Sequence, residues 1–268
     1  MSLEAGRDRI PTVLGVREKL LATQAQYQSP EIARTVAKGF GFDVAVAQRA
    51  CKRGDPTGDF YRLMQKEGQL FILFGDAPKH GLLAARLVNR IHTTLTPDIT
   101  DQIVQASSNG RGGDLTQSIL YLDRHLRENK KHIGLQDDGI PMLMVGIDPV
   151  NKRIRNANAG LTTDVILLRN KHAARFFRPN GAPLGSTWGP DMDPAQEHRY
   201  AKGDILILMT DGMDDKSAKA GDEPPIEKIK KFISILEESE ITPERLVKRI
   251  PSIISRASDD LTIMAIQL

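Results

Sequence analysis

From Gly58 to Asp76 the chain reads GDFYRLMQKEGQLFILFGD, and no other stretch limits the fold as tightly. Two runs rich in aromatic and branched apolar residues flank Glu67-Gly68, so the pattern predicts a β-hairpin turning at that pair. With the turn there, Lys66 lies opposite Gln69 and Asp59 lies opposite Asp76. Side chains alternate across a strand, which puts both aspartates on the face that carries Tyr61, Leu63, Ile72 and Phe74. Two carboxylates therefore meet at the open end of an apolar hairpin.

Most of the chain after residue 42 has the same β character. FDVAVAQRA alternates like a strand, and PMLMVGID, RIRNANAG and DVILLRN read as a meander of short-linked strands. GDILILMTDG repeats the pattern of an apolar strand ending in Asp-Gly, and SDDLTIMAIQL closes the chain with a strand that two aspartates precede. Helices are expected over residues 13 to 39 in two pieces, the second opened by Ser29 and Pro30. Others carry Ala84, Leu87, Val88, Ile91 and Leu95, then Leu115, Ile119, Leu122 and Leu126 behind an Asp114 cap, then Ile226, Ile229, Ile233 and Leu236. A last one starts at Thr242-Pro243-Glu244 and is interrupted at Pro251. SSNGRGG and ENKKHIGLQDDG read as loops with solvated charges.

Composition removes several classes of function. The 37 basic and 34 acidic residues leave a formal charge of only +3, too weak a field for a nucleic-acid partner. The single cysteine, Cys51, excludes an internal disulfide and is read as a small strand residue; Thr57 stands where a cysteine-dependent phosphatase needs its arginine. No apolar run approaches the ~20 residues that span a bilayer, and the N-terminus lacks a signal-peptide pattern. The expectation is a cytoplasmic protein with no membrane partner. His92, His125, His132 and His172 fall in surface-like patterns, and His198 carries no signal.

Asp59, Asp76, Asp211 and Asp259 each stand where an apolar strand begins or ends. Asp-Gly is also a common turn dipeptide, so any one of them alone says little. Antiparallel pairing of DILILMT with LTIMAIQL would bring Asp211 beside Asp259, as the hairpin does for Asp59 and Asp76. Such a cluster repels itself and is costly to desolvate unless a cation offsets the charge. Carboxylate oxygens without a His or Cys cluster suit hard ions, Mg²⁺ or Mn²⁺. Aspartyl-nucleophile phosphatase chemistry wants Asp-x-Asp, whereas Asp211 and Asp214 are spaced differently and the hairpins do not suggest its parallel sheet.

The succession GDFYR, LFILFGDAPKHGLLAA, NANAG, GAPLG, ILILMTDGMDD and SDDLTIMAIQL resembles the stage II sporulation protein E-type serine phosphatases, the bacterial branch of the metal-dependent type 2C (PPM) protein phosphatases. The resemblance runs from about residue 42 to the C-terminus. It implies an α+β fold, two antiparallel β-sheets packed as a sandwich flanked by helices. It also implies a phosphatase domain over 41–268, preceded by a helical extension, 1–40, of the regulatory or homodimerising kind. Carried over residue by residue, Asp76 is the aspartate bridging two divalent cations, Mn²⁺ or Mg²⁺, and Ala77 gives one of them its carbonyl. Asp59 contacts metal through water, Asp211 and Asp259 are direct ligands, and Asp260 holds the adjoining turn. His80 is the candidate general acid.

The implied reaction is hydrolysis of phosphoserine or phosphothreonine by a water that two metals activate. The implied substrate is a phosphorylated regulator of the anti-anti-sigma type. Thr57, Arg62, Lys79 and Leu161 depart from the family pattern, at a Gly, an Asp, a Gly and a His respectively. The presence of all four aspartates favours an enzyme, while Lys79 and Leu161 keep open the alternative of a degenerate phosphatase-fold module that binds a signalling partner without turnover.

Overall fold

In the computed structural model the described residues are 13–108, 114–162, 165–175, 179–189, 191–213, 225–237, 241–253 and 259–268. Most of the SSNGRGG loop and Asp214 lie outside them. Among the described residues, ten strands form two antiparallel sheets. One sheet has the order β2-β3-β4-β5-β8, with β2 Asp59–Lys66, β3 Gln69–Asp76, β4 Met142–Asp148, β5 Arg153–Ala159 and β8 Gln196–Arg199. The other has the order β1-β10-β9-β6-β7, with β1 Asp43–Arg49, β6 Val165–Arg169, β7 His172–Arg175, β9 Ile205–Met209 and β10 Leu261–Gln267.

The two sheets pack face to face, because each offers one apolar face to the other. Tyr61, Ile72, Phe74, Val145 and Ile154 from the first meet Val44, Leu167, Leu206, Leu208, Met264 and Ile266 from the second. The opposite face of the first sheet is covered by α3 Leu82–Thr94, α4 Pro97–Ser108 and α5 Leu115–Glu128, through Phe60, Phe71, Leu73, Val88, Ile91, Ile103 and Ile119. The opposite face of the second is covered by α7 Pro225–Ile235 and α8 Pro243–Ile253. The result is a four-layered α+β sandwich, as the resemblance implies. No helix among the described residues is long and apolar enough to cross a membrane.

Ahead of β1, α1 Val13–Tyr27 and α2 Pro30–Lys38 form as the caps predict: the Ser29 side chain accepts from the Ile32 N–H and Pro30 sits in the first turn. Ala33 and Ala37 of α2 are buried in the intersheet core beside Phe42.

Several local expectations change. β5 does not continue into a meander, because β6 belongs to the other sheet. The Asn158 side chain brackets Leu161, accepting from its N–H and donating to its carbonyl, and this turn carries the chain across the sandwich. ENKKHIGLQDDG is not all loop: α6 Lys130–Ile133 forms there and its apolar Ile133 is buried. Cys51 is not in a strand; β1 ends at Arg49 and the Cys51 N–H donates to Asp260. His92 is not a surface residue but is buried on α3, stacked on Tyr27, edge-on to Phe60, and bonded through Nε2 to Gln28. Burial lowers its pKa to about 3, so it is neutral.

Candidate active site

The hairpin register is the predicted one, with Asp59 paired to Asp76 and Lys66 to Gln69. In the other sheet, β9 and β10 are antiparallel neighbours, and the Thr210 N–H donates to the Thr262 carbonyl just beyond the last ladder pair, Met209 with Ile263. Both sheets thus end at one rim, which brings the β2–β3 carboxylates to the segments carrying Asp211 and Asp259.

Asp59 is almost fully buried, and one of its oxygens accepts hydrogen bonds from the hydroxyls of Thr210 at 2.7 Å and Thr262 at 2.8 Å. The carboxylate of one sheet is therefore held by side chains of the other. Thr210 is oriented in turn by the Thr262 N–H, which donates to its hydroxyl oxygen. The other Asp59 oxygen, Oδ1, is buried without a hydrogen-bond partner. Buried carboxylate oxygens rarely stay unpartnered, so this one is open to a cation or a hydrogen-bond donor. Burial raises the Asp59 pKa to about 7, opposed by the two threonine hydroxyls and reinforced by Asp260 and Asp211.

Asp76 is half-buried at the end of β3. Its pKa is pushed up to about 9, first by burial, then by the charges of Asp59, Asp211 and Asp259, and by a hydrogen bond with Asp211. The charges of the other three sequence-predicted aspartates therefore all act on Asp76. Among the described residues, no three His, Cys, Asp or Glu side chains form a preassembled metal-binding group. The donor set is nonetheless all oxygen and self-repelling, and with the unpartnered Asp59 Oδ1 it fits hard divalent cations.

Asp211 opens a short 3₁₀ turn, Asp211–Met213. A β-carbon on Gly212 would lie 1.9 Å from the Asp260 carbonyl oxygen, so only glycine lets the TDG turn reach the strand that Asp259 precedes. Asp260 lies beside this cluster, close enough for its charge to act on Asp59. It is buried, and its two oxygens accept from the backbone N–H groups of Cys51 and Gly58, both at charge-assisted distances of 2.6 and 2.5 Å. Ala77 is buried and its N–H donates to the Gly58 carbonyl, closing the hairpin mouth. His80 lies in the exposed loop between β3 and α3.

Sequence reasoning missed the groups that set this geometry. The two threonines are one set; Gln24 and Gln28 of the N-terminal helical region are another. Gln24 is buried and bonds the Thr57 backbone twice, donating to its carbonyl and accepting from its N–H. Gln28 and Gln48 both donate to the Asp59 carbonyl, and the Tyr61 hydroxyl donates to the Gln28 carbonyl. No spacing rule links a glutamine in or just after a helix to a strand that follows it so much later. Gln28→Met is expected to lower the thermal midpoint by several degrees, since it leaves the buried Asp59 carbonyl one donor short and His92 Nε2 without its partner, read by differential scanning calorimetry.

The departures from the family pattern also find their places. The Arg62 guanidinium donates to the Leu95 carbonyl and lies 5.6 Å from the Tyr27 ring centroid, away from the carboxylates. Leu161 is buried in the intersheet core. Lys79 takes up φ +75°, the left-handed region that a glycine adopts without strain. Lys79→Gly is therefore expected to raise the thermal midpoint by about 2 °C, from relief of roughly 1 kcal/mol of backbone strain partly offset by unfolded-chain entropy.

A family model described as Stage II sporulation protein E (SpoIIE) matches residues 66–268. The chain belongs to this family. No curated protein sequence matches it. Among solved structures, the RsbU and RsbW domains of Rv1364c from Mycobacterium tuberculosis align over 84% of this chain and 61% of that one, with TM-score 0.65 and 23% identity. This chain thus spans less than two thirds of the length of that two-domain chain. The SiaA-PP2C domain of Pseudomonas aeruginosa aligns over 94% of this chain and 95% of its own, with TM-score 0.66 and 15% identity. The catalytic domain of the serine/threonine protein phosphatase PstP, in complex with 2 manganese ions, aligns over 84% and 97%, with TM-score 0.51 and 14% identity. At these identities the likeness is one of fold, and it matches the SpoIIE-type, PP2C-like sandwich described above.

Proposed function

We propose that this member of the SpoIIE family is a metal-dependent protein serine/threonine phosphatase acting on a phosphorylated regulator of the partner-switching kind. The observation that carries the reading is the convergence of Asp59, Asp76, Asp211 and Asp259, with a buried unpartnered oxygen among them. Two divalent cations, Mn²⁺ or Mg²⁺, held by Asp59, Asp76, the Ala77 carbonyl, Asp211 and Asp259, would supply an activated water and neutralise phosphoryl charge. The manganese-bound PstP structure supports that choice of ion.

The chain's own residues divide the remaining work. Asp76, at the centre of the cluster, fixes the position where cations and phosphoryl group meet. Thr210 and Thr262 hold one oxygen of the Asp59 carboxylate and leave the other open for a cation or its water. His80, on the exposed loop just beyond Asp76, gives a proton to the departing serine or threonine oxygen. The RsbU–RsbW and SiaA likenesses support a regulatory phosphoprotein as substrate.

Lys79 and Leu161 favour the alternative, a partner-binding module without turnover, but neither displaces one of the four aspartates. Manganese-dependent hydrolysis of p-nitrophenyl phosphate, lost in Asp76→Ala and Asp211→Ala, is the expected result. Inactive wild-type protein that also takes up no Mn²⁺ by calorimetry would overturn the enzyme reading.

A further inference from the structure

Beside the carboxylate rim lies a groove of about 210 Å³ between the β3–α3 loop, α3 and the segment after α6. Lys79, Arg86 and Arg90 supply its charge and Leu83 and Leu87 its apolar surface, with the buried Ile133 beneath. Among the described residues none that lines it is acidic, and α3 itself contains no Asp or Glu. Leu83 is 64% exposed and lies one turn before Arg86. Lys79 joins the groove to the loop that follows Asp76, and it does so in a strained backbone conformation.

We propose that this groove is the docking surface for an acidic segment, anchored by one apolar side chain, that flanks the phosphorylated residue of the protein substrate. The proposal rests on the phosphatase reading and narrows its substrate class. Along α3, Leu83 to Arg90 rises about 10 Å at ~1.5 Å per residue, the reach of about three extended residues. A chain whose phosphoserine sits at Asp76 would therefore cross Lys79 and lay its next few residues on α3. An apolar side chain covers Leu83 and Leu87, and carboxylates face Arg86 and Arg90. A basic flank would meet three like charges and be rejected.

Two measurements test this on the full chain. Kinetics with Mn²⁺ compare a phosphoserine peptide followed by Leu-Asp-Glu with one followed by Leu-Lys-Lys, and both with p-nitrophenyl phosphate. The acidic peptide is expected to have about tenfold the kcat/KM of the basic one at low salt, and the ratio is expected to shrink at 0.5 M salt, as exposed charge pairs are screened. Arg86→Glu and Leu83→Ser, both surface changes, are expected to lower kcat/KM for the acidic peptide about tenfold more than for the small ester. Separately, ¹H–¹⁵N spectra titrated with the unphosphorylated acidic peptide are expected to shift within residues 78–90 and 133–136.

Ester hydrolysis with no preference between the peptides, or spectral shifts confined elsewhere, overturns the docking surface and leaves the phosphatase reading intact. Shifts at the groove without any ester hydrolysis keep the docking surface and overturn the phosphatase.

Discussion

Asp76→Asn is expected to reduce phosphatase turnover by at least about 10³-fold while making the metal-free protein more stable. The activity loss follows because an uncharged amide, with one coordinating oxygen, holds cations far more weakly at the centre of the site, where electrostatic stabilisation of the reaction is concentrated. The stability gain follows because Asp76 is half-buried among Asp59, Asp211 and Asp259, and its ionisation is opposed by desolvation and by all three. The sign can be checked through pH. With folded-state pKa values near 7 for Asp59 and 9 for Asp76, the native protein keeps protons that the unfolded chain releases near pH 4. The stability these groups contribute is therefore full below pH 4 and is lost as pH rises through 7 and 9. In EDTA, the thermal midpoint of the wild type should fall between pH 6 and 9. The Asp76→Asn midpoint should fall less, and at pH 8 it should lie several degrees higher, on the order of 2 kcal/mol. Adding Mn²⁺ should raise the wild-type midpoint and leave the variant nearly unchanged. A variant less stable than wild type at pH 8 in EDTA would contradict this account of the site.

Asp260→Ala is expected to be the most destabilising single change near the site, by roughly 3 kcal/mol, because it removes two charge-assisted bonds and leaves two backbone N–H groups short of an acceptor. Gly58 immediately precedes Asp59, so the loosened 51–58 segment also releases the carboxylate that it positions. Asp260→Asn keeps one acceptor oxygen and should recover part of the loss. Urea midpoints for the three proteins check the order. If Asp260→Ala unfolds at the wild-type midpoint, the aspartate is not the anchor described here. Asp259→Ala, beside it in sequence, should in contrast cost activity far more than stability, since its carboxylate adds to the repulsion at Asp76.

The β2–β3 hairpin was legible in full because a two-residue turn and a period of two leave only one register, and the observed pairs are those the pattern requires. The amphipathic stripes of α3, α5 and α7 were legible for a related reason: each buries a single face against a sheet. His92 was misread because a lone histidine on a helical stripe gives no sign of its partners, which come from the N-terminal helical region and β2. The crossing after β5 was misread because strand spacing is the same whether the next strand joins the same sheet or the opposite one.

The sequence by itself determined the hairpin that sets Asp59 against Asp76, the apolar strands that end in aspartate, and the family whose order of motifs it follows. These are local properties, written in spacing and alternation. Only the tertiary structure decided that Thr210 and Thr262, from the second sheet, hold the Asp59 carboxylate of the first, and that Gln24 and Gln28 hold the backbone at Thr57 and Asp59. A hydrogen bond depends on distance in space, and when two packed sheets meet at one rim, residues far apart in the chain become the nearest neighbours of the site.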